Sequence, residues 1–294
     1  MQHFDHKISI TKILNSNEDY PEEKFSGRGI VIPAGGEKYY IPAWVEINLL
    51  RYLGCTLPIE VWYYGDAEMP DNVKDIFRGL QGVSLVDAEQ VSKEYPARIL
   101  KGWPIKPYSI IHSSFKEVLF LDADNVPVRD PEYLFDSDFY KDYGCMFWPD
   151  SEMGFLGSTL SLMNSEIWLI LNLDRTDQKA FESGQIVIDK SRCWRSLKLT
   201  MYFNSYSDYY YKYVYGDKDT FLMAWLLTKQ PFRLMPPMLN GQGVMYQKDH
   251  LGEILFQHRW QPKWNFDGNP TKEPEGFIHE RKCLTFLNEL RKLL

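Results

Sequence analysis

From residue 29 onward, short apolar runs alternate with stretches whose apolar residues recur at helical spacing. Gly29–Pro33 (GIVIP) reads as a strand, Ile41–Leu53 carries Ile41, Trp44, Val45, Leu49 and Leu53 on one helical face, and Ile59–Tyr64 is strand-like again. Asn72–Leu80 is helix-like and Val83–Val86 continues the alternation. A helical stretch opens at Lys106-Pro107 and runs to Phe115, with proline at an early position where its missing N–H costs little. It leads into Val118–Leu121, four consecutive apolar residues of the kind buried on both faces of a parallel sheet. Further strands are expected at Cys145–Trp148, Gln185–Ile188 and Ile254–Gln257. Further helices are expected at Glu166–Leu171, at Thr220–Leu227 and from Arg281. Strands interleaved with helices predict an α/β fold with a central, mostly parallel sheet flanked by helices. Residues 1–24 read as a polar N-terminal arm, 25–275 as one large domain and 276–294 as a C-terminal helix.

Composition narrows the partners. With 44% hydrophobic and 25% charged residues, the chain can bury a sizeable core. A formal charge of -7 makes no case for bare nucleic acid or an anionic membrane. No run approaches the roughly 18 apolar residues of a spanning helix, and residues 1–20 lack the apolar segment of a signal peptide. Cys55, Cys145, Cys193 and Cys283 have neither CxxC nor metal-finger spacing and read as reduced, mostly buried thiols of a cytosolic protein. The aromatic content is high. Trp44, Phe120, Trp168 and Trp225 fall on apolar faces, whereas Tyr206–Tyr215, Trp260 and Trp264 lie near polar motifs, where they either pack or offer ring faces to a sugar.

The richest segment is Glu117–Pro131 (EVLFLDADNVPVRDP). Asp122 and Asp124, one residue apart at the carboxyl end of a buried strand, are expected to point to the same side, because side-chain direction alternates with period two. In a parallel sheet that edge is where ligands bind. Two hard oxygen donors suit Mg²⁺ or Mn²⁺, with other coordination positions left for substrate phosphates. Two other readings compete. The pair simply ends a strand and caps the turn before Pro127, or Asp122-Ala123-Asp124-Asn125-Val126 is a haloacid-dehalogenase-type phosphohydrolase signature with Asp122 as nucleophile, and Gly216–Asp219 supplies its acidic partner. That nucleophilic strand ordinarily opens its domain, whereas here three strand–helix units come first.

The surrounding residues carry a resemblance. Leu57–Asp66 (LPIEVWYYGD) and Lys106–Phe135 (KPYSIIHSSFKEVLFLDADNVPVRDPEYLF) resemble the fungal-type α-mannosyltransferase family, glycosyltransferase family 71, and more distantly the retaining glycogenin and galactosyltransferase group. The likeness is dense over about eighty residues and weaker toward the end. It implies a GT-A fold over 25–275 and metal-dependent transfer of a hexose, mannose favoured, from a nucleotide sugar to a hydroxyl acceptor such as a glycan, with retention of configuration. An inactive, carbohydrate-binding relative is a further alternative.

By that resemblance Asp122, Ala123 and Asp124 are the DxD, and His258 completes a set of metal ligands for Mn²⁺ or Mg²⁺. Pro33, Ala34 and Gly35 contact the nucleotide, and Lys106 and Lys263 meet the donor phosphates. The donor is GDP-mannose by the nearest likeness, or a UDP-hexose by the wider group. Glu182, Asp217 and Asp150 lie on the acceptor side, and Lys218 stands where the galactosyltransferase group places a glutamine facing the anomeric carbon. Without the resemblance, Lys106 is a surface lysine, Glu182 a strand-end acid and Asp217 a helix cap. Fungal members are anchored in the Golgi. A chain that starts at Met1 with an unremarkable arm is expected to be cytoplasmic, and Golgi-lumenal only if trimmed from a longer protein.

Overall fold

The computed structural model describes residues 3–16, 19–152, 157–267 and 274–294. Parts of the N-terminal arm, residues 1–2 and 17–18, lie outside them. Among the described residues, ten strands form two sheets. The larger holds β1 (Arg28–Pro33), β2 (Ile59–Tyr63), β3 (Val83–Asp87), β4 (Glu117–Leu121), β6 (Cys145–Pro149) and β7 (Phe181–Asp189), in the order β3-β2-β1-β4-β7-β6. The smaller holds β5 (Asn125–Pro127), β8 (Leu239–Asn240), β9 (Met245–Lys248) and β10 (Ile254–His258), in the order β5-β10-β9-β8. The first four strands of the chain are parallel in the large sheet, while β7 runs antiparallel to both β4 and β6. This is the expected α/β architecture with a mostly parallel centre.

Side chains alternate across the sheet, and both faces are covered. Ile30, Ile32, Leu119 and Leu121 join a core under helices Glu37–Tyr52 and Glu280–Leu293. Val31, Val118 and Phe120 join the opposite core under helices Ile105–His112, Lys190–Ser205 and Lys218–Thr228. All four cysteines are free and buried. Among the described residues, no helix is long and apolar enough to cross a membrane.

The structure differs from the pattern reading in the second sheet, of which only the strand ending at His258 was expected, and in three further places. The arm contains a helix, His3–Leu14, that packs on Lys190–Ser205. Helix Lys190–Ser205 itself escaped notice because KSRCWRSLKLTMYFNS interrupts its apolar face with charges. Strand β7 begins at Phe181 rather than Gln185, since Glu182, Ser183 and Gly184 interrupt the apolar run without interrupting the strand.

Lys190, the first residue of its helix, is wholly buried, donates to the Ser113 carbonyl (2.8 Å) and lies 3.4 Å from the Phe25 ring centre. Burial, only partly opposed by Glu60, pulls its ammonium down to about 6. Between that value and the ordinary 10.5, the unfolded chain holds a proton that the folded chain lacks. Stability therefore climbs with pH across this window, and the penalty is fully present below it. Relative to Lys190→Met, the parent chain is expected to gain up to about 1.4 kcal/mol per pH unit between pH 7 and 9, measured by denaturant unfolding. Parallel stability curves for the two proteins would refute the charge assignment.

Candidate active site

At the end of β4 the chain leaves the sheet and turns. The Asn125 N–H donates to the Asp122 carbonyl at 2.9 Å, and β5 then starts in the second sheet. This turn, rather than continued strand alternation, brings the carboxylates of Asp122 and Asp124 together. The neighbouring strand fixes the turn, because the Asp122 N–H and the Asn125 side-chain amide both donate to the Gly184 carbonyl at 2.8 Å. Antiparallel pairing of β5 with β10 sets His258 opposite Asn125, and the Arg259 N–H donates to the Asp124 carbonyl at 2.8 Å. His258 Nε2 lies 3.5 Å from Asp124 Oδ1 and 3.9 Å from Asp122 Oδ2, while its Nδ1 lies 3.5 Å from Glu182 Oε1. Only glycine fits beneath the ring. A Cβ on Gly184 would stand 2.5 Å from His258 Nδ1 and 3.0 Å from Glu182 Oε1.

Lysines neutralise these acids. Lys106 Nζ donates to Asp122 Oδ2 at 2.7 Å and to Ser183 Oγ at 3.3 Å, and lies 4.0 Å from Asp217. Lys263 pairs with Asp124, and Lys218 pairs with Asp150. Asp217 occupies the cap position of helix Lys218–Thr228, yet its side chain makes no capping bond. It is instead aimed at Lys106, so the plain capping role fails.

The charges are strongly coupled to this packing. Burial would raise Asp124, but His258 and Lys263 hold it well below the ordinary carboxylate range. Burial likewise opposes ionised Glu182, yet His258 and the nearby lysines bring it down to about 2. His258 responds in the opposite sense. Burial would lower it, but Asp124 and Glu182 hold the imidazolium up to about 10. Asp150 and Asp217 are raised, chiefly by burial.

One donor atom each from Asp122, Asp124 and His258 lies within 4.8 Å of the others. Two carboxylates and an imidazole form a hard donor set suited to Mn²⁺ or Mg²⁺. A bound dication would need His258 neutral, so its proton competes with the metal.

A cavity of about 470 Å³ opens over this cluster. Of the residues expected at a nucleotide site, Pro33, Gly35, Lys106, Asp122, Ala123, Asp124 and Lys263 line it. Ala34 does not. It is fully buried and extends the β1–β2 pairing by donating its N–H to the Trp62 carbonyl at 2.7 Å. Glu182, Asp150, Asp217 and His258, all buried, and the partly buried Lys218 stand outside the lining and form a charge network beside it. Tyr39, Tyr64, Glu68 and Trp103 also line the wall and escaped the sequence reading, whereas Ser207 and Tyr211 belong to the Tyr206–Tyr215 stretch. Only the YYGD segment before Glu68 offered a local cue. Of the aromatic cluster, Tyr211 reaches the cavity, whereas Tyr202, Tyr206, Tyr209 and Tyr210 ring His6 of the N-terminal helix. Trp264 is fully buried and offers no ring face, while Trp260 is exposed.

Residues 27–155 and 154–260 match the model of a family described as "Mannosyltransferase putative". The chain belongs to this family. Among its relatives, the alpha-1,2-mannosyltransferase MNN5 of Saccharomyces cerevisiae (strain YJM789) is 28% identical, with 91% of this chain and 55% of the relative aligned. The alpha-1,2-mannosyltransferase MNN21 of Candida albicans is 29% identical over 72% of this chain and 39% of its own length. The chain thus spans about half the length, or less, of these family members. A solved structure of the galactosyltransferase LgtC with donor and acceptor sugar analogs is similar with a TM-score of 0.46 and 15% identity, covering 67% of this chain and 70% of that one. Family membership sets aside the phosphohydrolase reading of Asp122.

Proposed function

We propose that this chain is a glycosyltransferase that moves a hexose, mannose favoured, from a nucleoside diphosphate to a hydroxyl of a glycan, with retention of configuration. The observation that carries the reading is the convergence of Asp122, Asp124 and His258 with two lysines at the mouth of a nucleotide-sized cavity. Asp122, Asp124 and His258 would hold a divalent cation, which supplies electrostatic stabilisation of the negative charge that grows on the departing diphosphate. Lys106 and Lys263 exchange their carboxylate partners for phosphate oxygens as the donor enters. Glu182 sits against Nδ1 of His258, orients the ring and keeps Nε2 directed at the two aspartates. Asp150, Lys218 and Asp217 form the polar wall toward which the acceptor hydroxyl approaches.

Nucleotide release from a panel of nucleotide sugars, with a glycan acceptor and either Mn²⁺ or EDTA, tests this directly. Release is expected from GDP-mannose with Mn²⁺ and is expected to vanish with EDTA. Release from no donor, with metal-independent glycan binding, would instead identify an inactive binding protein. An aspartyl-phosphate at Asp122 formed from small phosphate esters would restore the phosphohydrolase reading.

A further inference from the structure

Of the carboxylates that line the cavity, only that of Glu68 lies outside the metal cluster. Glu68 follows β2, whereas Asp122 and Asp124 follow β4, and β1 lies between them in the sheet. Two strand spacings amount to roughly 10 Å, about the reach from a diphosphate across a ribose to its base. The Glu68 side chain is held in place. Its Oε2 accepts the Tyr64 N–H at 3.0 Å, and its backbone carbonyl accepts the Gly36 N–H at 2.8 Å. Space for the carboxylate exists because residue 35 is glycine, since a Cβ there would stand 2.0 Å from Oε2. The Gly35 backbone is outside the left-handed region, so conformation alone does not demand glycine at this position.

We infer that Glu68 reads the base of the donor and selects guanine. This rests on the nucleotide-sugar reading above and adds the residue that discriminates between donors. An ionised carboxylate only accepts hydrogen bonds, and it does so best from two parallel donors. Guanine presents such a pair in its N1–H and its 2-amino group. Uracil offers a single N3–H flanked by two carbonyl oxygens, which repel the second carboxylate oxygen. Adenine sets its amino group beside an unprotonated ring nitrogen and fails for the same reason. The Tyr64 N–H fixes one carboxylate oxygen, and Oε1 makes no hydrogen bond within the described residues.

The test compares binding of GDP, IDP and UDP to the full chain with Mn²⁺, by calorimetry, for the parent, Glu68→Gln and Gly35→Ala. In the parent, GDP is expected to bind at least about 10-fold more tightly than IDP, which lacks the 2-amino group, since a hydrogen bond to a charged group is worth about a factor of 10 or more. Glu68→Gln is expected to weaken GDP about 10- to 100-fold and to leave UDP within about 3-fold. Gly35→Ala, whose Cβ displaces the carboxylate, is expected to reproduce the loss of guanine preference. Equal affinity of the parent for GDP and IDP, or unchanged GDP affinity in Glu68→Gln, overturns the assignment. If the parent binds UDP with Mn²⁺ in preference to GDP, the base assignment falls and the glycosyltransferase reading stands. If it binds none of the three, the glycosyltransferase reading falls, and the base assignment with it.

Discussion

Exchanging Asp124 for asparagine is expected to lower sugar transfer at least about 10³-fold and to remove the Mn²⁺-dependent stabilisation by nucleotide. Asp124 is 2% exposed and serves both Lys263 and His258. Asparagine keeps the shape and removes the charge, so two cations are left facing a neutral amide. Asp122→Asn is expected to act in the same direction, because it removes the charged partner of Lys106 and the second anionic oxygen donor of the cluster. Thermal unfolding with and without Mn²⁺ and GDP separates this effect from misfolding, since a folded variant keeps a cooperative transition but loses the ligand-induced shift. The acid side has a definite sign. The folded chain holds Asp124 below its ordinary value, so its stabilising contribution is present above the unfolded carboxylate range and is lost as pH falls through the folded value. Asp124→Asn is therefore expected to be less sensitive to acid than the parent. If both variants retain metal-dependent turnover, the metal assignment is wrong.

The same cluster marks how much of the molecule could be read from the chain. Val118–Leu121 announced a doubly buried strand because every position is apolar, and the two aspartates stood out against it. What placed them together was a turn stabilised by Gly184, about sixty residues later, and no local pattern encodes that contact. His258 gained significance only through family likeness, since its position opposite Asn125 depends on pairing between strands far apart in sequence. Glu68 was invisible for a related reason. Its value lies in the space left by Gly35 and in its distance along the sheet edge from Asp122, both properties of three dimensions. Helix Lys190–Ser205 was missed on different grounds. Its buried Lys190, Ser196, Thr200 and Asn204 occupy core positions with polar residue types, so periodicity of apolar residues understates the buried face.

A second large effect is expected at a residue that touches neither donor nor metal. Arg259, the residue after His258, is fully buried and pairs with Glu280 at 2.5 Å, at the start of helix Glu280–Leu293. Its Nε donates to the Pro262 carbonyl at 2.7 Å, and its guanidinium lies 4.8 Å from the Trp264 ring centre. The C-terminal helix is bound into the main core as well. Cys283, Leu287 and Leu290 are fully buried, and the Trp44 indole N–H donates to the Phe286 carbonyl at 2.9 Å. Glu280→Ala leaves a guanidinium in the interior without its counter-charge, which costs about 3–5 kcal/mol and lowers the unfolding midpoint on the order of 10 °C. The double change Arg259→Met with Glu280→Met removes both charges, and its loss is expected to be much smaller than that of Glu280→Ala. Denaturant unfolding of the parent, Arg259→Met, Glu280→Met and the double variant measures the coupling. Because the Arg259 N–H also holds the Asp124 carbonyl, the single change is expected to loosen the Asp124–His258 geometry and weaken Mn²⁺ binding as well. A Glu280→Ala protein within 1 kcal/mol of the parent, with unaltered Mn²⁺ affinity, would mean that this buried pair neither supports the fold nor anchors the strand that carries His258.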